Sequence, residues 1–287
     1  MSLDVACEQL TRGWREDSTK MVKQLAVSLL RETRLLPLAE LARFLGVMMC
    51  SSAENRKFAR RSEGFVPPPG WIMYDAFGDV DYCAYHNSGK GAARAIANTA
   101  LPHLGSKRQA RILEWGCGPA RIVQHIPRDF EALTPTVYAT DYNRRTIRWC
   151  KDAIPNINFD VNELNPPLPF ETAAFDFVYC VSVFTHLSEN SHYEWLKELR
   201  RVLAPGGVAM ITMHGDKFRA NLLPLERAAY DQGQIVVRGA VKEGSRIYSS
   251  FHSPAFMRQF LGESNIVLHD PNPDPAISGG QDVWLTR

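Results

Sequence analysis

Apolar residues form short continuous runs between residues 111 and 286, whereas before residue 111 they stand at helical spacing. The runs are rich in aliphatic, β-branched and aromatic side chains, which is typical of strands buried on both faces of a parallel sheet. We predict strands at 111–115, 136–140, 156–160, 175–181, 207–213, 264–269 and 281–286. Helical patterns separate the first five of these strands. Alternating strands and helices predict a mostly parallel α/β sheet with helices on both faces.

The chain before residue 67 follows a different pattern. Apolar side chains at helical spacing stand at Met21, Leu25, Leu29 and Leu30, and a second apolar run extends from residue 35 to residue 49. The segment Pro67-Pro68-Pro69-Gly70 is a stiff linker. We therefore divide the chain into an N-terminal helical extension, residues 1–66, and one α/β domain, residues 67–287.

The first predicted strand leads into a glycine-rich loop and then into a predicted helix. Glycines at 116 and 118 allow a sharp turn, and they let a ligand approach main-chain N–H groups. The third glycine of the dinucleotide fingerprint is missing, because Arg121 stands there. Glu114 would repel a pyrophosphate and would suit a positively charged ligand. S-adenosylmethionine, which carries a sulfonium and an ammonium group, is such a ligand.

The E-x-G-x-G pattern of this loop resembles the first motif of class I S-adenosylmethionine-dependent methyltransferases, and later residues fit that family in order. Asp141 ends the second strand, 25 residues after Gly116, where an acid accepts hydrogen bonds from both ribose hydroxyls. Asn162 and Glu163 follow the third strand, where the family holds adenine. The segments from SVFTHL to MHG and from FHSPAF to VWL resemble a branch that methylates small molecules or glycans.

This resemblance covers residues 67–287 and implies an S-adenosylmethionine-dependent methyltransferase. The implied fold is a Rossmann-like seven-stranded, mostly parallel sheet with an antiparallel last strand. The implied cofactor residues are Glu114, Gly116, Cys117, Gly118, Asp141, Tyr142, Asn162, Glu163, Val181, Ser182, Val183 and His186. Residues 71–110 are expected to cover the cofactor or the acceptor. Residues 216–250, an insertion with a helix near 222–230 and a hairpin, are expected to roof the acceptor site.

Methyl transfer requires a base only where the acceptor must lose a proton. Imidazole titrates near neutral pH, so we nominate His214 and His252 as catalytic residues, with Asp282 to orient one of them. His186, within SVFTHL, is expected to close the cofactor side of the site. The spacing of histidines, cysteines and carboxylates predicts no metal site.

The composition of the chain indicates where the protein is located and which kinds of partner it binds. The 287 residues are 45% hydrophobic and carry a net charge of +2, which gives no reason to expect nucleic acid. The six cysteines lack C-x-x-C pairs and are expected to be reduced. We find no secretory signal pattern and no window approaching the roughly 18 apolar residues of a membrane span. We therefore expect a cytoplasmic protein.

Three functions fit these observations. The favoured one is a methyltransferase acting on a small molecule or a glycan, with oxygen as the preferred acceptor atom. A methyltransferase acting on protein or RNA is the second, with docking at a basic cluster formed by Arg56, Lys57, Arg60 and Arg61. The third is a non-catalytic S-adenosylmethionine-binding protein, against which the intact glycine loop and Asp141 argue. The N-terminal helices also offer a surface for a homo-oligomer.

Overall fold

The computed structural model describes residues 27, 29–30, 33, 35–62, 64–105 and 109–287. Met21 and Leu25 of the first predicted helix lie outside the described residues. The α-helices are α1 (Leu36–Arg61), α2 (Gly70–Phe77), α3 (Tyr82–Ala100), α4 (Ile126–Asp129), α5 (Arg144–Ala153), α6 (Glu189–Val202), α7 (Pro224–Asp231), α8 (Pro254–Leu261) and α9 (Pro275–Ser278). The strands are β1 (Arg111–Trp115), β2 (Thr136–Asp141), β3 (Asn158–Val161), β4 (Phe175–Cys180), β5 (Leu203–Met213), β6 (Val236–Arg238), β7 (Ser249–Phe251), β8 (Ile266–Asp270) and β9 (Asp282–Thr286).

Seven strands form one sheet in the order β3-β2-β1-β4-β5-β9-β8. All neighbours from β3 to β5 are parallel, and β9 runs antiparallel to β5 and to β8. The predicted Rossmann-like sheet with an antiparallel last strand is confirmed. The strand β5 begins at Leu203 instead of residue 207, because the chain through Pro205 stays extended.

The central strands are buried on both faces, which explains their continuous apolar sequences. In β1, Ile112 packs into the core on one side of the sheet and Leu113 into the core on the other. Phe177 and Val178 of β4 divide in the same way. Because both faces are covered by helices and loops, ligands can reach this sheet only at its ends.

The segment after the glycine loop departs from the predicted helix. Residues 119–122 form turns, a 3₁₀ helix follows at Val123–His125, and α4 has only four residues. Ala120 has a φ of 62°, which interrupts any helix begun at the loop. The loop therefore lacks a regular helix whose dipole points at a ligand, and its main-chain N–H groups and side chains must supply the binding.

The helix α1 packs against α2 and α3 through one side. Its Asn55 donates to the carbonyl of Val80 at 2.6 Å and accepts from the amide of Tyr82 at 2.9 Å. By length and composition α1 is apolar enough to cross a membrane. Its most apolar 18-residue segment has a mean hydropathy of 1.2, and 6% of that segment is buried. No segment of this kind was expected from the sequence.

Candidate functional site

A cavity opens where the carboxyl ends of β1, β2 and β4 meet, beside the point at which the strand order reverses between β1 and β4. Of the predicted cofactor residues it is lined by Gly116, Gly118, Asp141, Tyr142, Asn162, Glu163, Val181, Ser182, Val183 and His186. A smaller adjoining cavity is lined by Glu114 and Cys117, together with both glycines. The structure thus brings together all the residues to which the resemblance assigns cofactor binding.

The glycine loop is fixed to β2 by its own backbone. The amides of Gly116 and Cys117 both donate to the carbonyl of Thr140, at 2.8 and 2.9 Å. Gly116 has a φ of 76°, and a Cβ at this position would lie 2.3 Å from Cγ2 of Val183. Only glycine allows the loop and the lip after β4 to approach this closely at that φ.

Asp141 stands at the end of β2 with both carboxylate oxygens held by the backbone. It accepts from the amide of Gly118 at 3.0 Å and from the amide of Asn143 at 2.7 Å. Burial raises the pKa of Asp141 to about 6, against the effect of these two hydrogen bonds. Each oxygen keeps a further lone pair, so the carboxylate is positioned to accept from two neighbouring hydroxyls.

The segment after β3 provides a buried polar atom without a partner. Asn162 is buried, and its amide nitrogen donates to the carbonyl of Glu163 at 2.7 Å. Its Oδ1 has no hydrogen bond to the described part of the chain. Such an orphaned acceptor fits a ligand N–H donor, such as the adenine amino group. The side chain of Glu163 instead turns outward and pairs with Arg144 at 2.6 Å, with both side chains exposed.

The smaller cavity holds a buried carboxyl group and a guanidinium, of which only the carboxyl group was predicted from the sequence. Glu114 is buried and accepts from the Tyr179 hydroxyl at 3.0 Å. Burial raises the pKa of Glu114 to about 8, although the Tyr179 hydrogen bond and the Arg121 charge lower it. The Arg121 guanidinium lies 5.6 Å from the Phe77 ring centroid and lines the same cavity. A carboxylate and a guanidinium in one cavity suit the ammonium and carboxylate groups of an amino-acid ligand.

Arg121 was named in the sequence only as the residue that replaces a third glycine. Its main chain is positioned by α3: a Cβ on Gly89 would lie 1.9 Å from the Arg121 carbonyl oxygen. The Tyr85 hydroxyl donates to the carbonyl of Pro119 in the same turn, at 2.9 Å. The sequence offered one signal for this role of Arg121: an arginine stands in the glycine loop where the dinucleotide fingerprint has its third glycine.

The lip after β4 is built by a polar network that crosses to β5 and β9. Ser182 has a φ of 61°, and its amide donates to the Thr212 hydroxyl at 2.8 Å. Gln281 binds both residues, because its Nε2 donates to the Ser182 hydroxyl and its Oε1 accepts from Thr212, each at 2.7 Å. Within the sequence GGQD, the structure thus assigns the supporting contact to Gln281.

His186 is the histidine that faces the larger cavity. Its Nδ1 lies 2.7 Å from the carbonyl oxygen of Tyr248, a pure acceptor, so Nδ1 carries the proton and Nε2 keeps a free lone pair. Burial lowers the pKa of His186, and the Tyr248 contact acts in the opposite direction. Nε2 makes no hydrogen bond with the described residues.

His214 and His252, the two histidines nominated for catalysis, make their contacts outside this cavity, and the partner of His252 is His192. The His192 Nε2 is 2.7 Å from the His252 Nε2, and the His192 Nδ1 donates to the carbonyl of Ser188. His252 is 1% exposed, and its Nδ1 is buried without a partner in the described chain. His214 donates its Nδ1–H to the carbonyl of Ser250 at 3.0 Å. Neither His214 nor His252 lines the cavity.

Asp282 also lies away from the cavity. Its Oδ2 lies 2.9 Å from the Nε2 of His269, and it contacts neither nominated histidine by a hydrogen bond. The structure therefore separates the three residues nominated for catalysis from the residues implied for the cofactor. Across the described ranges no three His, Cys, Asp or Glu side chains gather in a way that could hold a metal.

A cover over the cavity comes from α1, α2 and the segment between β6 and β7. Arg246 lines the cavity, forms an ion pair with Glu40 of α1, and lies 4.8 Å from the Tyr74 ring centroid. Tyr74 donates its hydroxyl to the same carboxylate at 2.9 Å. Tyr142 donates to the carbonyl of Gly244 at 3.1 Å, which ties the cover to β2.

Comparison with known proteins gives a match over the central part of the chain. Residues 112–207 match the family model described as "Methyltransferase domain". This segment runs from β1 into β5 and contains most of the residues that line the two cavities.

Several solved structures resemble this chain. A TehB-like SAM-dependent methyltransferase from Corynebacterium glutamicum is 17% identical, with a TM-score of 0.45 over 82% of this chain and 98% of its own. A SAM-dependent methyltransferase from Methanosarcina mazei is 18% identical, with a TM-score of 0.48 over 64% and 95%. The 1,6-didemethyltoxoflavin-N1-methyltransferase of Burkholderia thailandensis is 15% identical, with a TM-score of 0.49 over 71% and 84%. Because these TM-scores lie below 0.5, the resemblances carry no functional conclusion.

Proposed function

We propose that this chain, a class I S-adenosylmethionine-dependent methyltransferase, transfers the methyl group to a hydroxyl oxygen of a small-molecule or glycan acceptor, with His186 as the general base. The observation that carries the proposal is the position of His186, which faces the same cavity as Gly116 and Asp141 and keeps Nε2 free. This assignment replaces the sequence-based nomination of His214, His252 and Asp282.

The residues around the two cavities fit the parts of S-adenosylmethionine. Asp141 would accept from the ribose hydroxyls, and the orphaned Oδ1 of Asn162 would accept from the adenine amino group. Glu114 would face the ammonium group, and Arg121 the carboxylate, of the methionine end. S-adenosylmethionine supplies an electrophilic methyl group on a sulfonium sulfur. Gly116 allows the glycine loop to lie directly against Val183, and the loop would border that end of the ligand.

The cavity residues divide the work of the transfer. The acceptor would occupy the part of the cavity that Asp75, His186 and Arg246 line, with its hydroxyl toward the His186 Nε2. The methyl carbon of S-adenosylmethionine would form a bond to the acceptor oxygen as its bond to sulfur breaks, with S-adenosylhomocysteine as the leaving group. The hydroxyl proton passes to Nε2 of His186, and the Tyr248 carbonyl stabilises the resulting imidazolium through Nδ1.

The low pKa of His186 suits this role, because the ring is neutral at physiological pH and ready to accept a proton. The positioning of the two reactants supplies the rest of the acceleration, since an in-line transfer requires little covalent assistance. Asp75, a further carboxyl group on the cavity wall whose pKa is raised by burial, would bind hydroxyl groups of a polar acceptor.

The first test is cofactor binding by calorimetry. Wild-type protein should bind S-adenosylmethionine, and binding of NAD instead would overturn the assignment of the site. A screen with labelled S-adenosylmethionine against sugars, phenols and carboxylic acids then identifies the acceptor class. Labelling of carboxylic acids alone would contradict the hydroxyl acceptor, because a carboxylate arrives without a proton to remove.

The second test compares two histidine variants on the acceptor found in that screen. His186→Gln should slow single-turnover transfer by about 10² to 10⁴ and abolish the rise in rate with pH, while His214→Gln should retain both. Cofactor affinity should remain near wild type in both variants. If His186→Gln transfers at the wild-type rate with an unchanged pH profile, His186 is not the base.

A further inference from the structure

The helix α1 carries an apolar surface that no described part of the chain covers. We define the outer face of α1 as Leu38, Leu41, Leu45 and Met49, all of which are exposed; Leu38 is 63% exposed and Met49 is 80% exposed. Met48 lies at its edge, with the end of its side chain against Gly70. The opposite side of α1 is occupied, because Phe44 contacts the rings of Trp71 and Tyr74. A contiguous apolar surface on a helix that is otherwise firmly docked marks an interaction site.

The charged residues of α1 are distributed unevenly around the helix. Its only two acidic residues are already paired, Glu40 with Arg246 and Glu54 with Lys57 at 2.7 Å. Arg56, Arg60 and Arg61 are exposed and form no ion pair with the described residues. At 3.6 residues per turn, Arg56 and Arg60 project within about 60° of the line formed by Leu38, Leu45 and Met49. The outer face is thus apolar for most of its length and basic at its C-terminal end.

We propose that the outer face of α1 binds an anionic lipid bilayer and holds the enzyme at the membrane surface. The apolar side chains would enter the boundary between headgroups and acyl chains, and the arginines would lie at the level of the lipid phosphates. The helix stays parallel to the surface, because Asn55 and Glu40 fix its other side to the protein. This proposal is independent of the identity of the methyl acceptor.

A second copy of the chain fits this face less well. Parallel pairing would place Arg56 of one copy against Arg56 of the other, with like charges in contact. Antiparallel pairing centred between Leu41 and Leu45 would place Arg56 opposite Leu30. Parallel pairing offers the arginines no acidic partner on α1, and antiparallel pairing places Arg56 beyond the start of α1 at Leu36, whereas anionic lipids supply negative charge along the whole surface.

Docking here would bring the acceptor cavity close to the bilayer. Glu40 lies on α1 and binds Arg246, which lines the cavity, and α2 contributes Ile72 and Asp75 to the cavity wall. Only α1 would then separate the bilayer from the residues that line the cavity. An acceptor that is anchored in a membrane, or concentrated at its surface, would therefore lie close to the site.

The test is co-sedimentation of the full chain with vesicles of phosphatidylcholine, either pure or containing about one third phosphatidylserine. Wild type should bind the anionic vesicles at least about tenfold more tightly than the neutral ones, with binding weakened by salt. The double variant Leu45→Gln, Met49→Gln should lose at least about tenfold in affinity. Arg56→Gln and Arg60→Gln should each lose about fivefold on anionic vesicles.

The matched control is Leu225→Gln, since Leu225 is 87% exposed and belongs to α7 instead of α1. It should bind vesicles as wild type does. Loss of binding in this control as much as in the double variant, or absence of wild-type binding to anionic vesicles, would overturn the proposal. A third result would also overturn it: the wild-type protein does not bind vesicles but forms a concentration-dependent dimer, and the double variant Leu45→Gln, Met49→Gln does not form this dimer.

Discussion

Cofactor binding should release a proton from Glu114. In the free protein burial raises the pKa of this carboxyl to about 8, so about nine tenths of the molecules carry a proton there at pH 7. The ammonium group of S-adenosylmethionine would favour the carboxylate and lower this pKa. Binding at pH 7 should therefore release close to one proton per molecule.

Two smaller contributions nearly cancel. Asp141, with a pKa raised to about 6, is about one-tenth protonated at pH 7 and would release that fraction. The α-amino group of the ligand is about one-tenth neutral at this pH and would take up a similar amount. The expected net release at pH 7 is about 0.9 proton, and affinity should rise by up to about tenfold per pH unit between about pH 6 and pH 8.

Calorimetric titrations in phosphate and in Tris measure this number, because the observed enthalpy changes with the ionisation enthalpy of the buffer. Glu114→Gln should reduce the release to nearly zero, whereas Asp141→Asn should leave most of it. A wild-type titration at pH 7 with clear binding and no buffer dependence would refute the reasoning about Glu114.

Three further expectations concern the loop and its support. Gly116→Ala should lose cofactor binding while its circular dichroism spectrum stays near native. Gly206 has a similar φ of 77° but open surroundings, so Gly206→Ala should bind the cofactor normally. If the two variants bind the cofactor equally, steric contact is not the cause. Asp141→Ala should weaken binding by about 1.5 to 3 kcal/mol in calorimetry, and an unchanged affinity would exclude ribose contact there. Gly89→Ala should lower the free energy of unfolding by about 1 to 3 kcal/mol in urea titrations, while Gly91→Ala, with 3.4 Å to its nearest neighbour, should not lower it.

The sheet was predictable because its central strands are continuous apolar runs, and a parallel strand that is buried on both faces requires apolar side chains on both faces. The helix after the glycine loop was wrong because Ala120 adopts a positive φ, which no sequence rule assigns to alanine. The histidine roles depended on side-chain direction. His186 and His252 both follow buried segments, and only the folded chain shows that His186 lines the cavity and binds the Tyr248 carbonyl, whereas His252 contacts His192.

The cover of the cavity has a consequence for how the acceptor can change among relatives. The segment that matches the methyltransferase family, residues 112–207, contains the residues we assign to the cofactor and His186. Asp75, Gly244 and Arg246, which face the acceptor space, all lie outside that segment. The two tasks are therefore separable along the chain: substitutions in the flanking segments can give a new acceptor while the methyl donor site stays intact. The match over residues 112–207 therefore bears on the methyl donor, and the identity of the acceptor must be sought in the flanking segments.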